Sequence, residues 1–188
     1  RWFKRSSDEI RSSFYGHVKA FFAGIYNPCS AKTLDKVLEE YHPDIVQVQN
    51  IYPLLSSSIF KTLKKRGVPV VMRCPNYRLF CPSGLCLSPK GEVCEKCFGG
   101  KEWNCVLNNC ERSFFKSLGY SLRNVYSRLS RSIINGVDLF IVQSEFQKQI
   151  FIEQGIPCNK IIILPGISPE IENIDTSSIG DYVSFVGR

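Results

Sequence analysis

No apolar run in this chain of 188 residues is long enough to cross a bilayer. "VDLFIVQ" and "KIIILPGI" are among the longest, against the roughly 18 residues that a spanning helix needs. The opening "RWFKRSSDEIRSSF" does not read as a signal peptide either, because no continuous apolar segment follows its basic residues. Low-complexity tracts are absent too. With 44% apolar and 22% charged residues, the composition is that of a folded domain and not of a disordered tail. Acidic residues are in short supply, 17 against 24 Lys and Arg. The net charge of +7 favours an anionic partner, whether phosphate, lipid headgroup or nucleic acid, without choosing among them. Cysteine is the opposite case: there are nine, and an odd number cannot all pair within one chain. That argues against a disulfide-stapled secreted domain and for a reducing, cytoplasmic setting.

The length fits one domain, or one and a fraction. "PDIVQVQ" (43–49), "VPVVMR" (68–73), "VDLFIVQ" (137–143) and "KIIILP" (160–165) are Val- and Ile-rich and bounded by turn residues, as buried strands are. Amphipathic segments lie between them. Leu34, Val37, Leu38 and Tyr41 share a helical face after an N-cap at Ser30. Pro53 suits a first helical position, followed by Leu55, Ile59 and Leu63, and "KKRG" closes that segment at Gly67. Ser144 and Gln147 form a capping box, with Phe146 and Ile150 on the buried side of the helix they open. Repeated strand, helix, strand predicts an α/β fold, a Rossmann-like parallel sheet with helices on both faces. Ligands of such sheets sit beyond the carboxyl ends of the strands. The residues to watch are therefore Gln49 and Asn50, then Cys74 to Arg78, then Ser144 to Phe146, then Pro165 to Ile167.

In order along the chain, "YHPDIVQVQNIYPLLSSSI", "GVPVVMRCPNYRLFCPSGLC", "VDLFIVQSEFQKQIFIEQGIPCNKIIILPGI" and "YVSFVGR" resemble the N-terminal half of a family 4 glycosyltransferase. These are retaining enzymes with two facing Rossmann-like domains, the GT-B arrangement. The last two stretches are the most specific. The resemblance implies an acceptor-side domain over residues 1–168, lacking its first strand and carrying a Cys-rich insertion at 81–110. Residues 169–188 would be the linker and first strand of a donor-binding domain. It implies a nucleotide-sugar donor, a saccharide or lipid-linked acceptor, and no transfer by this piece alone. Gly187 and Arg188 match the Gly-Arg pair that holds the donor diphosphate in the family, and the planar guanidinium suits phosphate oxygens. The substrate cleft would be formed by Gln49, Asn50, Asn76, Tyr77, Arg78, Ser144, Glu145, Phe146 and Gly166. Two departures stand out. Relatives often carry a histidine where this chain has Pro75, and Val-His-Val-His where it has Gln47 and Gln49 in "VQVQ".

Each of these residues also has a plainer role. Ser144 can be only a helix cap, and Asn50, Asn76, Tyr77 and Arg78 can be a turn network. Cys94, Cys97, Cys105 and Cys110 follow the spacing C-x2-C-x7-C-x4-C, with Cys81 and Cys86 upstream. That spacing suits a structural zinc, less well an iron–sulfur cluster, and is equally open to isolated thiols or a disulfide. Either way the stretch holds a loop. From Arg112 to Ile134, Phe114, Leu118, Leu122, Val125, Tyr126, Leu129 and Ile133 occupy one helical arc and five arginines or lysines the rest. Such a basic amphipathic helix packs its apolar arc on the core, or lays it on an anionic membrane surface at the inner face of the plasma membrane. A nucleic-acid-binding module suits the charge, but aromatic residues are not interleaved with basic ones on a stacking platform. A redox role for Cys94–Cys97 is disfavoured by its place between polar turns.

Overall fold

The computed structural model describes residues 21–52 and 55–166. Four strands, β1 (Val46–Val48), β2 (Val70–Arg73), β3 (Leu139–Val142) and β4 (Ile161–Ile163), form one parallel sheet in the order β1-β2-β3-β4. Each falls inside a predicted Val- and Ile-rich stretch. The register aligns Val48, Met72, Phe140 and Ile161 across the sheet, and all four are buried. The neighbouring row of Gln47, Val71 and Leu139 is exposed or half-buried. Sequential strand order explains the asymmetry. A right-handed crossover at every step returns each connection to the same side. Among the described residues, therefore, one face of the sheet is enclosed, where the sequence suggested two.

The helices are α1 (Pro28–Tyr41), α2 (Ser58–Arg66), α3 (Trp103–Leu107), α4 (Phe114–Ser130), α5 (Ser132–Gly136) and α6 (Glu145–Glu153). No described helix is long and apolar enough to cross a membrane. Helix α1 is capped by Asn27, three residues before the predicted cap at Ser30. Asn27 accepts the Ser30 N–H at 3.1 Å, and Pro28 occupies the first turn, where a missing N–H costs nothing. The Asn27 backbone also reaches the next helix: its N–H donates to Ser56 Oγ at 2.9 Å and its carbonyl accepts from Ser58 Oγ at 2.9 Å. Helix α2 ends as predicted, on Lys64, Lys65, Arg66 and a left-handed Gly67. It starts at Ser58, so Leu55 precedes it and is exposed, while Pro53 lies outside the described residues. Phe60, Leu63, Val70, Val137, Phe140, Val142 and Phe151 are the enclosed centre of the core. Removing each such side chain from water contributes about 1.5–3 kcal/mol.

Helix α4 reverses the predicted packing. The single helix expected over 112–134 is two, broken where Arg131 adopts φ 49°, and Ile133 is buried on the second. The buried side of α4 is Ser117, Ser121, Arg123, Asn124 and Ser127, whereas Phe114, Phe115, Leu122 and Leu129 are exposed. The cause is what α4 faces. It lies against loop backbone after β2 and around the cysteines, and buried carbonyls require donors. Arg123 donates to the Pro82 carbonyl at 2.9 Å, Asn124 to that of Arg78 at 2.9 Å, and Ser121 to that of Glu102 at 2.9 Å. Small serines let the helix approach closely enough for these bonds.

Candidate functional site at the strand ends

Hydrogen bonds join the carboxyl ends of the four strands. Cys74 N–H donates to the Ile141 carbonyl at 2.9 Å, and Leu164 N–H to that of Val142 at 2.8 Å. Asn76 Nδ2 donates to Asn50 Oδ1 at 3.3 Å, which joins the loops after β2 and β1. Gln147 on α6 completes the set. Its Nε2 donates to the Cys74 carbonyl at 2.8 Å, and its Oε1 accepts the Gln143 N–H at 2.9 Å. The predicted capping box is thus half formed: Ser144 Oγ accepts the Gln147 N–H at 3.2 Å, but the glutamine side chain reaches Gln143 instead of the cap's own N–H.

The cleft above this seam is shallow, with a volume of about 20 Å³, and is lined by Asn50, Tyr52, Arg73, Cys74, Asn76 and Arg78 among others. Asn50 sits at φ 48°, a left-handed conformation that asparagine tolerates better than most residues. Among the described residues, no acidic side chain lines it. Burial pushes the Cys74 thiol up to about 12, so it is neutral and inert at ordinary pH. A larger hollow of about 310 Å³ lies beside Ile133, Gln154 and Ile156, toward the amino ends of β3 and β4. Parallel sheets place ligands at the opposite end.

Of the residues expected in the cleft, Asn50, Asn76 and Arg78 come together. Gln49 is exposed beside them. Tyr77 instead packs against the core, and its N–H donates to the Gly84 carbonyl at 3.1 Å. Ser144 caps α6, Glu145 is exposed, and Phe146 is 67% exposed and not on the buried side, which Gln147, Ile150 and Phe151 form. Gly166 is exposed just past β4. Gly187 and Arg188 lie outside the described residues. Three contributors had no local signal. Arg73 ends a strand, Gln147 looked like a cap, and Arg123 looked like solvent-facing charge. Arg123 is 2% exposed, its guanidinium 4.1 Å from the Tyr52 ring centre and 4.5 Å from that of Tyr120. Burial raises the Tyr52 phenol, although the charge of Arg123 acts in the other direction.

The cysteine stretch is docked beside the larger hollow, which Cys97, Gly99, Gly100 and Glu102 help to line, and not at the strand-end cleft. Glu102 is almost fully buried and accepts from Arg128 Nε at 2.7 Å and from its terminal nitrogen at 3.3 Å, and Gly99 N–H donates to Gln154 Oε1 at 2.8 Å. Gly100, at φ +83°, lies under that guanidinium, where a Cβ would meet Arg128 Cζ at 3.0 Å. All nine cysteines carry free thiols. Cys97 and Cys105 are buried, and their thiols are pushed up to about 12, first by burial and then by other cysteines nearby. Cys81 goes the other way, held down by hydrogen bonds from the Cys86 thiol and Ser83. Among the described residues, no three His, Cys, Asp or Glu side chains are arranged to hold a metal ion.

A four-stranded parallel sheet with flanking helices, and a cleft at its carboxyl strand ends, defines a Rossmann-like α/β domain. The model of Glycosyltransferase Family 4 matches residues 10–170, and the chain belongs to that family. No curated protein and no solved structure matches it.

Proposed function

We propose that this chain is the acceptor-side domain of a retaining glycosyltransferase that moves a sugar from a nucleotide-sugar donor to a saccharide or lipid-linked acceptor. The observation that carries this reading is the convergence of Asn50, Asn76 and Arg78 in one cleft at the strand ends of a family 4 domain. Amides and a guanidinium offer directional hydrogen bonds to hydroxyl or phosphate oxygens. Transfer builds negative charge on the departing diphosphate, and fixed cations stabilise it. Gly187 and Arg188 are assigned that task by the family pattern. The test is release of nucleoside diphosphate from nucleotide sugars by the full chain, with and without saccharide and prenyl-phosphate acceptors. Acceptor-dependent release is expected, and its absence across the panel would overturn the reading.

The outward side of α4 supports work at a membrane. Phe115, Leu122 and Leu129 recur every seven residues and are exposed, with Arg112, Lys116 and Arg131 alongside. Each basic side chain near an anionic leaflet contributes roughly 1 kcal/mol. The proposed location is the cytoplasmic face of the plasma membrane. Vesicles rich in phosphatidylglycerol should carry the protein upward in flotation far better than phosphatidylcholine vesicles, and L122E/L129E should lose most of that difference. Equal flotation with both lipids would leave no membrane role.

For the cysteine stretch, spacing favours a structural zinc on Cys94, Cys97, Cys105 and Cys110, and the arrangement of the thiols does not. A tetrathiolate ion would leave no open coordination position and so would only stiffen the loop. Metal analysis of protein purified without chelator decides. About one zinc per chain with those four thiols protected from alkylation supports the ion; metal-free protein with nine titratable thiols removes it.

A further inference from the structure

The strand-end cleft carries more positive charge than its turns require. Arg73 and Arg78 both line it, together with the amides of Asn50 and Asn76, and among the described residues no carboxylate does. Arg78 is poorly occupied by the protein itself. Its Nε is buried without a hydrogen-bond partner, and its terminal nitrogen reaches only the Ser83 carbonyl, at 3.4 Å. A buried donor left unpaired costs about 1–3 kcal/mol, so the protein itself holds this side chain only loosely.

Behind the wall stands a third guanidinium. Arg123 is enclosed between Tyr52, itself a lining residue, and Tyr120, and it is fixed by its 2.9 Å bond to the Pro82 carbonyl. It is close enough to Arg78 that the two charges oppose one another. The carboxylate near both is Glu111, which is not among the residues lining the cleft; burial raises its carboxyl although Arg78, Arg123 and Lys116 pull it down. One partly buried carboxyl thus answers two partly or fully buried cations, and Arg73 adds another at the rim. The cleft is shallow, with an enclosed volume of about 20 Å³, so a ligand group would rest at its mouth and not be engulfed.

We infer that the cleft is an anion subsite in which Arg73 and Arg78, with the amides of Asn50 and Asn76, hold a phosphate or diphosphate carried by the acceptor. The inference rests on the acceptor-side reading above and narrows its substrate class: a neutral saccharide would leave the arginines unanswered, whereas a sugar phosphate or a prenyl diphosphate would not. Arg123 is a positioning residue, acting through Tyr52 and Arg78 without touching the ligand.

Calorimetric titration of the full chain tests this with three probes: pyrophosphate, farnesyl diphosphate and methyl glucoside. The two anions should bind, weakening as salt is raised from 50 to 500 mM, about tenfold or more for two phosphate contacts. Methyl glucoside should not bind measurably. Arg73→Gln and Arg78→Gln should each weaken anion binding about tenfold or more, and Arg73→Lys should recover most of it. Farnesyl diphosphate binding more tightly than pyrophosphate identifies a lipid-linked source, and equal affinities identify a soluble phosphorylated one. Anion binding unchanged in Arg73→Gln and Arg78→Gln would place the anion elsewhere and overturn the inference, as would no anion binding at all. Arg73 is half-buried at a strand end, so its variants retain the core should Arg78→Gln fail to fold. Nucleoside diphosphate release in the same preparation separates the two readings: release with a neutral acceptor and no anion site sinks this inference alone.

Discussion

Gln147→Leu is expected to destabilise the domain by about 2–5 kcal/mol, read as a lower urea midpoint at unchanged slope. The side chain is 4% exposed and serves two backbone groups, the buried Cys74 carbonyl and the part-buried N–H of Gln143. Leucine fills a similar volume but answers neither, and each orphaned group costs about 1–3 kcal/mol. Gln147→Glu separates the two bonds. Its carboxylate still accepts from Gln143 but meets the Cys74 carbonyl with no proton to offer. Burial raises the folded-state pKa of such a carboxyl above its unfolded value, so the variant is least stable at neutral pH and regains stability as pH falls through the folded pKa. Midpoints of Gln147→Glu that do not rise relative to Gln147→Leu between pH 7 and pH 5 would contradict the assigned bonding.

The second large effect lies where α2 crosses α5. Phe60 is fully enclosed, and Phe60→Ala is expected to cost about 3–5 kcal/mol. Gly136 lies against it so closely that an added Cβ would meet Phe60 Cβ at 2.6 Å and the Phe60 carbonyl oxygen at 3.3 Å. Gly136→Ala should therefore cost about 1–3 kcal/mol through overpacking. Both obstructing atoms survive in Phe60→Ala, since alanine keeps the Cβ and the backbone. The double variant should accordingly be close to additive, within about 0.5 kcal/mol, and not a rescue. Strong rescue would mean that the aromatic ring, and not the main chain, sets the distance between these helices.

The sheet was legible because parallel strands are buried enough to read as continuous β-branched runs, and "VPVVMR" and "KIIILP" do so without ambiguity. The end of α2 was equally plain in Lys64 to Gly67, since a helix stop is local chemistry. The start of α1 was not, because Asn27 and Ser30 are both good caps and only Pro28 separates them. Helix α4 failed for a tertiary reason. Its apolar arc was read as the buried one, but its neighbours are loop carbonyls, so Ser121, Arg123 and Asn124 outcompete Leu122 and Leu129 for the interior. The site divides along the same line. Asn50, Asn76 and Arg78 were found from their places after predicted strands. Gln147 and Arg123 act on partners 73 and 41 residues away, which no local pattern reveals.

The central claim is that this cleft receives the acceptor, and steady-state kinetics of Asn76→Ala in the full chain test it most directly. Asn76 bridges to Asn50 across the strand ends, and the opposite wall is assigned to the donor. The account predicts that KM for the acceptor rises about tenfold, the loss of roughly one hydrogen bond made in the bound state, while KM for the nucleotide sugar stays within about twofold. A rise in donor KM with acceptor KM unchanged would contradict it.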